Sequence, residues 1–186
     1  MGSPLGPILA NIFVGWCESQ VPSEAWPDLY CRFVDDSFTH FQCRQDSDRL
    51  LEILINLQPS LKFTCEHQKD RCLPYMDVLV EKTDDDILTS VYRKPTFTGL
   101  YITRDSYCAT KYKTNLVKNL VERAHRICSA SKIDGELERL KSIFTMNGYP
   151  IDLLNRLIRR TEGNCAQQYG PKCCPVYLRL PWKGQW

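Results

Sequence analysis

Two adjacent carboxylates, Asp35 and Asp36, are the residues whose chemistry stands out first in this sequence. They lie inside residues 30–41, a run of aromatic and β-branched residues that is typical of a strand, a turn and a second strand. Neighbouring anions repel each other, and a bound divalent cation relieves that repulsion while leaving room for substrate phosphates. The pair therefore fits a Mg²⁺ or Mn²⁺ site for phosphoryl transfer. A plain surface turn is the alternative, because aspartate favours turn positions.

Helices are expected on both sides of this hairpin. Proline suits the first helical turn, so a helix is predicted from Pro7 through Trp16, where the apolar residues recur at helical spacing. A second helix is predicted to begin with Asp46 or Ser47 as its N-cap and to end before Pro59. An antiparallel sheet with helices on one face is therefore expected around the hairpin.

Further strands follow the second helix. Residues 61–66 alternate between apolar and polar, as a half-buried strand does. Residues 76–80 and 88–92 predict two more strands, which flank the acidic run 83–86. Turn chemistry around that run indicates a solvated hairpin loop and not a second metal site.

Charge divides the chain into two opposed halves. Residues 1–86 contain 7 Lys and Arg against 15 Asp and Glu, a net charge of −8, whereas residues 87–186 contain 17 against 7, a net charge of +10. An acidic half around a carboxylate pair, followed by a basic half with interleaved aromatics, suits a metal site and a surface for phosphate backbones. The alternative is that both halves are solvated faces.

Three short helices are predicted in the basic half. The first covers residues 114–129, the second is capped by Asp134 and ends at 147–148, and Pro150 opens the third. Helices of this length joined by tight turns are typical of a helix-turn-helix module, and equally of a polymerase thumb.

Composition excludes several protein classes. The chain is 43% hydrophobic and 25% charged, as ordinary globular proteins are, and it has no apolar segment typical of a signal peptide or a membrane span. Its ten cysteines are scattered without a Cys-x-x-Cys pair, which favours reduced thiols in an intracellular protein. The tail cluster of Cys165, Cys173 and Cys174 could bind metal, and free reduced thiols are the alternative.

Four motifs give the sequence a resemblance to a known family. Phe33-Val34-Asp35-Asp36 resembles the catalytic hairpin of reverse transcriptases, and residues 1–13 resemble the motif that precedes it. Residues 73–80 are similar to the primer-grip motif of the same enzymes. Residues 92–101 contain the Arg-Lys-Pro-Thr stretch of Penelope-like retroelements, and the basic helices after them look like the thumb of those proteins.

The resemblance implies an α+β fold. Residues 1–101 would form a partial polymerase palm, in which helices pack on an antiparallel sheet. Residues 102–162 would form an all-α, basic thumb or helix-turn-helix-like region, and residues 163–186 a linker-like tail.

The resemblance also implies roles for individual residues. Asp35 and Asp36 would be the catalytic and metal-binding residues, with Mg²⁺ or Mn²⁺ as cofactor and a deoxynucleotide as substrate. Gly2, Ser3, Pro4 and Phe33 would line the nucleotide and template pocket, and Tyr75, Met76 and Asp77 would form the primer grip. The expected contacts to nucleic-acid backbone are Arg93, Lys94, Lys111, Lys113, Lys118 and Arg123.

The function implied is that of a fragment of an RNA-directed DNA polymerase that binds an RNA template and a DNA primer. Because the chain begins at the Gly-Ser-Pro motif, the opposing aspartate of a two-metal site has no place in it, and the fragment is expected to be inactive alone. Two other functions remain open. One is a non-catalytic helix-turn-helix protein that binds nucleic acid, and the other is an interaction domain whose charge distribution is incidental.

Overall fold

The computed structural model describes residues 4–84 and 86–169. These residues form two compact units, 4–67 and 68–169. The architecture is mixed, with helices and small antiparallel sheets, which confirms an α+β class in its broad form. None of the helices within the described residues has the length and apolar character needed to cross a membrane.

The first unit contains a two-stranded hairpin and two helices. Its elements are α1 (Leu5–Ser19), a short 3-10 helix (Ser23–Ala25), β1 (Leu29–Phe33), β2 (Asp36–His40) and α2 (Arg44–Leu57). The strands pair in antiparallel fashion, with Phe33 opposite Asp36. Val21, Ala25 and Leu50 form a small buried core. The predicted hairpin, the first helix and the end of the second helix before Pro59 are therefore confirmed.

Two expectations in this unit are wrong. The second helix begins at Arg44, after Cys43, so neither Asp46 nor Ser47 is its N-cap. Ser47 instead donates a hydrogen bond to the Arg44 carbonyl within the first turn, at 2.7 Å. Residues 61–66 form no strand. Alternation predicts which face would be buried, but a strand also needs a partner for its backbone groups, and β1 and β2 pair only with each other.

The second unit places a sheet beside three helices. Its elements are β3 (Cys72–Tyr75), β4 (Val78–Lys82), β5 (Ile87–Val91), α3 (Thr110–Ile127), α4 (Ile133–Met146) and α5 (Ile151–Tyr169). The strands lie in the order β3-β4-β5, all antiparallel. The acidic run 83–86 joins β4 to β5, as predicted, and Thr83 closes it by donating its amide to the Asp86 carbonyl at 2.8 Å.

Helical periodicity builds the core of this unit. Val117, Val121 and Ala124 form one stripe on α3, and each is at most 1% exposed. Phe144 on α4 and Leu154 on α5 pack against that stripe. Burial of such side chains contributes about 1.5–3 kcal/mol each to folding.

Sheet and helices are fastened together at Thr89 and Ser129. The Thr89 amide donates to the Ser129 hydroxyl at 2.9 Å, and the Ser129 amide donates to the Thr89 carbonyl at 2.9 Å. The Thr89 hydroxyl donates to the Ile127 carbonyl at 2.6 Å. Both residues are buried, so these bonds satisfy groups that would otherwise be costly. Thr89 and Ser129 both belong to the compact unit that begins at Gln68.

Helix ends in this region were predicted better than helix starts. Asn147 ends α4, and Gly148 follows with a φ of 82°, a left-handed conformation that suits glycine. The start of α3 lies at Thr110, four residues before the predicted one. Asp134 lies in the first turn of α4 and is not its cap, since the helix begins at Ile133. A carboxylate in that turn still interacts favourably with the helix dipole.

Candidate nucleic-acid interface

Asp35 and Asp36 lie at the tip of the β1–β2 hairpin. Because Phe33 pairs with Asp36, Val34 and Asp35 alone form the loop. Val34 has a φ of 57°, which a β-branched residue rarely adopts. A positive φ at the first loop position matches a type II′ turn, where glycine is the usual residue. Both carboxylate residues are exposed.

A polar cluster ties this hairpin to α1. The Glu18 carboxylate accepts hydrogen bonds from Arg32 Nε and from the Tyr30 hydroxyl, both at 2.5 Å. Arg32 also donates to the Asn11 side chain at 2.7 Å and to the Val34 carbonyl at 3.1 Å. Burial, reinforced by the bond to Glu18, raises the pKa of Tyr30. The phenol therefore remains protonated and donates its hydrogen bond to Glu18. The loop that carries Asp35 is held by the Arg32 bond to the Val34 carbonyl.

The metal role of Asp35 and Asp36 stays a prediction. Magnesium demands a near-octahedral set of oxygen ligands, which carboxylates and water can supply. Asp35 and Asp36 offer oxygens of the right type. Within residues 4–84 and 86–169, however, no group of three or more His, Cys, Asp or Glu side chains is arranged to hold a metal ion. The pair therefore lacks a third His, Cys, Asp or Glu ligand in that part of the chain.

The proposed nucleotide pocket is only partly described. Gly2 and Ser3 lie outside the described residues, as do the side chains of the tail cysteines Cys165, Cys173 and Cys174. Pro4 stands immediately before α1. Phe33 ends β1 with 59% of its surface exposed, so its ring is accessible.

A cavity of about 300 Å³ lies in the second unit. Ligand sites in proteins usually start near this size. The structure brings several predicted residues together in its lining, namely Met76, Asp77, Arg93, Lys94 and Arg123. Tyr75, Lys111, Lys113 and Lys118 are not among the described residues that line it. Residues predicted for the primer grip and for backbone contacts therefore lie in part around one cavity, although they are distant in sequence.

Arg93 does not present its charge to solvent. Its guanidinium donates to Glu136 through both terminal nitrogens, from Nη1 to Oε2 at 2.9 Å and from Nη2 to Oε1. The Arg93 and Glu136 side chains are only 9% and 7% exposed. The hydrogen bonds to Glu136 raise the pKa of Arg93. The structure thus shows Arg93 in a buried ion pair, and the phosphate contact expected at this residue stays a prediction.

Arg123 and Asp77 form a second, more open ion pair at the cavity. Arg123 Nη2 lies 2.9 Å from Asp77 Oδ2, and their side chains are 32% and 71% exposed. Exposed pairs of this kind are worth at most about 1 kcal/mol. A nucleic-acid phosphate would therefore compete with Asp77 for Arg123. Lys94, also in the lining, is exposed.

The three predicted lysines of α3 have different surroundings. Lys113 is buried, and its ammonium donates to the carbonyls of Arg104 at 2.6 Å and Ser106 at 2.7 Å. The burial and the hydrogen bonds keep this charge inside the protein, so they lend no support to the expected phosphate contact at Lys113, which stays a prediction. Lys111 is exposed, and its ammonium lies 5.2 Å from the centre of the Tyr112 ring. Lys118 is half-buried.

Sequence analysis missed the cations of α5. Arg156, Arg159 and Arg160 are all exposed, whereas Leu154, Leu157 and Ile158 are buried. With 100° between successive helix positions, the arginines lie on the side opposite the buried residues. Within the part of the chain that the structure describes, none of these arginines forms an ion pair with a carboxylate. The spacing of Leu154, Leu157 and Ile158 was the signal that could have revealed this stripe.

The helical region is similar to a known domain family. Residues 100–159 match the family described as animal helix-turn-helix domain, about a third of the 186-residue chain. No curated protein and no solved structure matches the chain. The matched segment spans α3, α4 and the first part of α5. The similarity therefore covers Arg156 and Arg159 of the exposed stripe on α5, and it ends one residue before Arg160.

Proposed function

We propose that the chain binds duplex DNA through a helix-turn-helix formed by α4, the turn 147–150 and α5. The observation that carries this proposal is the match of residues 100–159 to the helix-turn-helix family. In such motifs a turn of three or four residues, often with glycine, joins two helices, and the second helix enters the major groove. The turn between α4 and α5 has that length and contains Gly148. Helix α5 is thus the recognition helix.

Charge on α5 supports the assignment. Arg156, Arg159 and Arg160 form one exposed stripe, which suits phosphates or the guanine edges of base pairs. Asn155 lies beside it, half-buried, and can read adenine. The buried side of the same helix is held by Leu154 and Leu157 in the core. A recognition helix requires one face that is packed in the core and an opposite face that presents cations, and α5 has both.

The test is a titration of the full chain with a 20-base-pair duplex, followed by fluorescence anisotropy between 50 and 200 mM salt. Replacing Arg156, Arg159 and Arg160 by alanine should weaken binding and flatten the salt dependence. Each lost phosphate contact lowers the slope of log K against log salt by about 0.9, so a drop of roughly two to three units is expected.

A matched control removes three cations from the first unit. Arg44, Arg49 and Lys62 are exposed, and their replacement by alanine changes the net charge equally. The control should leave most of the slope intact. If both triple variants lose the same affinity, binding follows net charge alone and α5 is not the reading helix.

A second candidate function is nucleotidyl transfer by a larger polymerase to which this chain contributes. It is favoured by the β1–β2 hairpin, which carries Asp35 and Asp36 at an exposed tip. In that case the chain binds Mg²⁺ or Mn²⁺, an RNA template and a DNA primer. Calorimetric titration with Mn²⁺ should give heat that Asp35→Asn reduces and Asp28→Asn does not. Equal heats in both variants would remove the metal assignment.

A further inference from the structure

The segment before α3 is held in a fixed shape against the α4–α5 turn. We refer to residues 99–112, which include the first three residues of α3, as the arm. The Asn147 side chain donates to the Gly99 carbonyl at 2.8 Å and accepts from the Tyr101 amide at 3.1 Å. Asn147 is buried, and its amide nitrogen also donates to the Ile143 carbonyl at 2.8 Å, so the side chain links the arm to the end of α4. The arm therefore begins beside the start of α5.

Further bonds continue along the arm. The Arg104 amide donates to the Asn147 carbonyl at 3.0 Å. The Tyr149 hydroxyl donates to the Ile102 carbonyl at 2.8 Å. Both partners belong to the turn between α4 and α5. The arm is thus positioned by the same residues that set the direction of the proposed recognition helix.

Lys113 fixes the next part of the arm. Its ammonium satisfies the carbonyls of Arg104 and Ser106, although burying a charged group is costly. The Ser106 amide turns back to the Thr103 carbonyl at 3.2 Å, and the Cys108 amide turns back to Ser106 at 2.8 Å. A buried cation is therefore used to hold a surface loop in one conformation.

The residues that this scaffold displays are aromatic and basic. Tyr107 is fully exposed, at 109%, and Tyr112 is 56% exposed. A tyrosine ring wholly in solvent adds nothing to packing, whereas buried aromatics contribute much. The charged residues of the arm are Arg104, Lys111 and Asp105, and Lys111 lies over the Tyr112 ring. Tyr107 and Tyr112 are therefore held on this scaffold, yet most of their surface is not used in packing.

We propose that the arm is a second nucleic-acid contact, which binds unpaired nucleotides next to the duplex held by α5. This inference rests on the proposed function. Tyr107 and Tyr112 offer flat faces on which bases stack, and Lys111 and Arg104 neutralise the adjoining phosphates. Aromatic rings interleaved with cations favour a nucleic acid over an apolar protein partner. Stacking accepts any base, so the expected ligand is single-stranded DNA or RNA without strict sequence preference.

The experiment compares two probes with the full chain, a single-stranded 20-mer of DNA and a blunt duplex of the same sequence. Replacing Tyr107 and Tyr112 by alanine should weaken single-strand binding about tenfold or more, since each stacked base is worth that much. Duplex binding should change less than twofold. Replacing both by phenylalanine should preserve single-strand binding, because phenylalanine retains the stacking face. Circular dichroism confirms that the variants fold.

The outcomes separate the arm from α5. If the α5 triple variant leaves duplex binding unchanged while the alanine variant of the arm loses the single strand, the proposed function fails and the arm contact stands. If the arm variant binds both probes like the wild type, the inference is overturned. Equal losses on both probes would overturn it too, because stacking on unpaired bases would not explain them. The inference would also be overturned if the arm variant changed only the self-association of the chain in analytical sedimentation, because the arm would then make protein contacts.

Discussion

The buried ion pair between Arg93 and Glu136 makes the strongest prediction about the second unit. Replacing Glu136 by leucine removes the carboxylate but leaves the guanidinium where it is, 9% exposed and without its counter-charge. Removing one partner of a buried pair typically costs about 3–5 kcal/mol. The Phe97 ring, 5.5 Å from the guanidinium carbon, retains part of the interaction, so the lower end of that range is expected.

Replacing both partners should cost far less. With Arg93→Met and Glu136→Leu together, no unpaired charge remains, and apolar side chains fill similar volume. Such replacements are often neutral or stabilising. The double variant should also bind duplex DNA within about twofold of the wild type, because the Arg93 charge is already paired with Glu136.

Hydrogen exchange measured by mass spectrometry suits this test, because the chain has two units and a single melting curve would mix them. Peptides from α3 and α4 should exchange roughly 100- to 1,000-fold faster in Glu136→Leu, since each 1.4 kcal/mol is a factor of ten. The matched control is Glu138→Leu, which removes an exposed partner of Lys141 at 2.6 Å. That change should cost under about 0.5 kcal/mol.

Two results would refute this reasoning. In the first, Glu136→Leu accelerates exchange no more than Glu138→Leu does, which would mean that the pair is not effectively buried. In the second, the double variant is as unstable as the single one. That outcome would place the cost in lost packing around α4 and not in an uncompensated charge.

Three further predictions concern the hairpin and the cavity. The pKa of Tyr30 is raised in the folded state, so its contribution to stability is complete below the ordinary tyrosine pKa of about 10 and is lost at higher pH. Tyr30→Phe should therefore remove this alkaline loss of stability, as measured by urea denaturation followed by tryptophan fluorescence. Val34→Gly should raise the free energy of unfolding by about 1 kcal/mol, because glycine accepts a φ of 57° without strain. Asp77→Asn should tighten duplex binding and steepen its salt slope by about 0.9, because Arg123 becomes free for a phosphate.

Each of these has a control and a contradicting result. Tyr92→Phe should leave the alkaline denaturation unchanged, and a wild-type profile in Tyr30→Phe would contradict the assignment. Val34→Ile keeps the strain, so equal stability of the isoleucine and glycine variants would argue against it. Asp84→Asn frees Arg71 in a pair at 2.6 Å outside the cavity lining. If it tightens binding as much as Asp77→Asn does, the effect is only one of net charge.

Local signals in the sequence predicted part of the fold well. The hairpin around Asp35 and the loop at 83–86 follow from turn residues between apolar runs, and Pro59 and Gly148 end helices for backbone reasons. These signals act within a few residues, so no tertiary information is needed. Helix starts were poorer, since Cys43 and Ala109 precede α2 and α3 without a side-chain cap.

Tertiary context decided the rest. Lys113 is a polar residue by type, yet it continues the buried stripe of Val117, Val121 and Ala124 at helical spacing. Its buried position could have been suspected from that spacing, but its carbonyl partners could not, because they lie in an irregular loop. Likewise Arg93 and Glu136 are 43 residues apart, and no local pattern pairs them. The sequence therefore located the cations without revealing which are already neutralised.

The Thr89–Ser129 bonds bear on how this protein should be divided for experiments. A fragment restricted to the family match, residues 100–159, would begin after β5. Ser129 would lose the backbone partners that Thr89 supplies, and the Ile127 carbonyl would lose its donor. Homology boundaries and folding boundaries thus differ here by about thirty residues. An expression fragment that starts at Gln68 keeps β5, the strand to which the helical region is hydrogen-bonded.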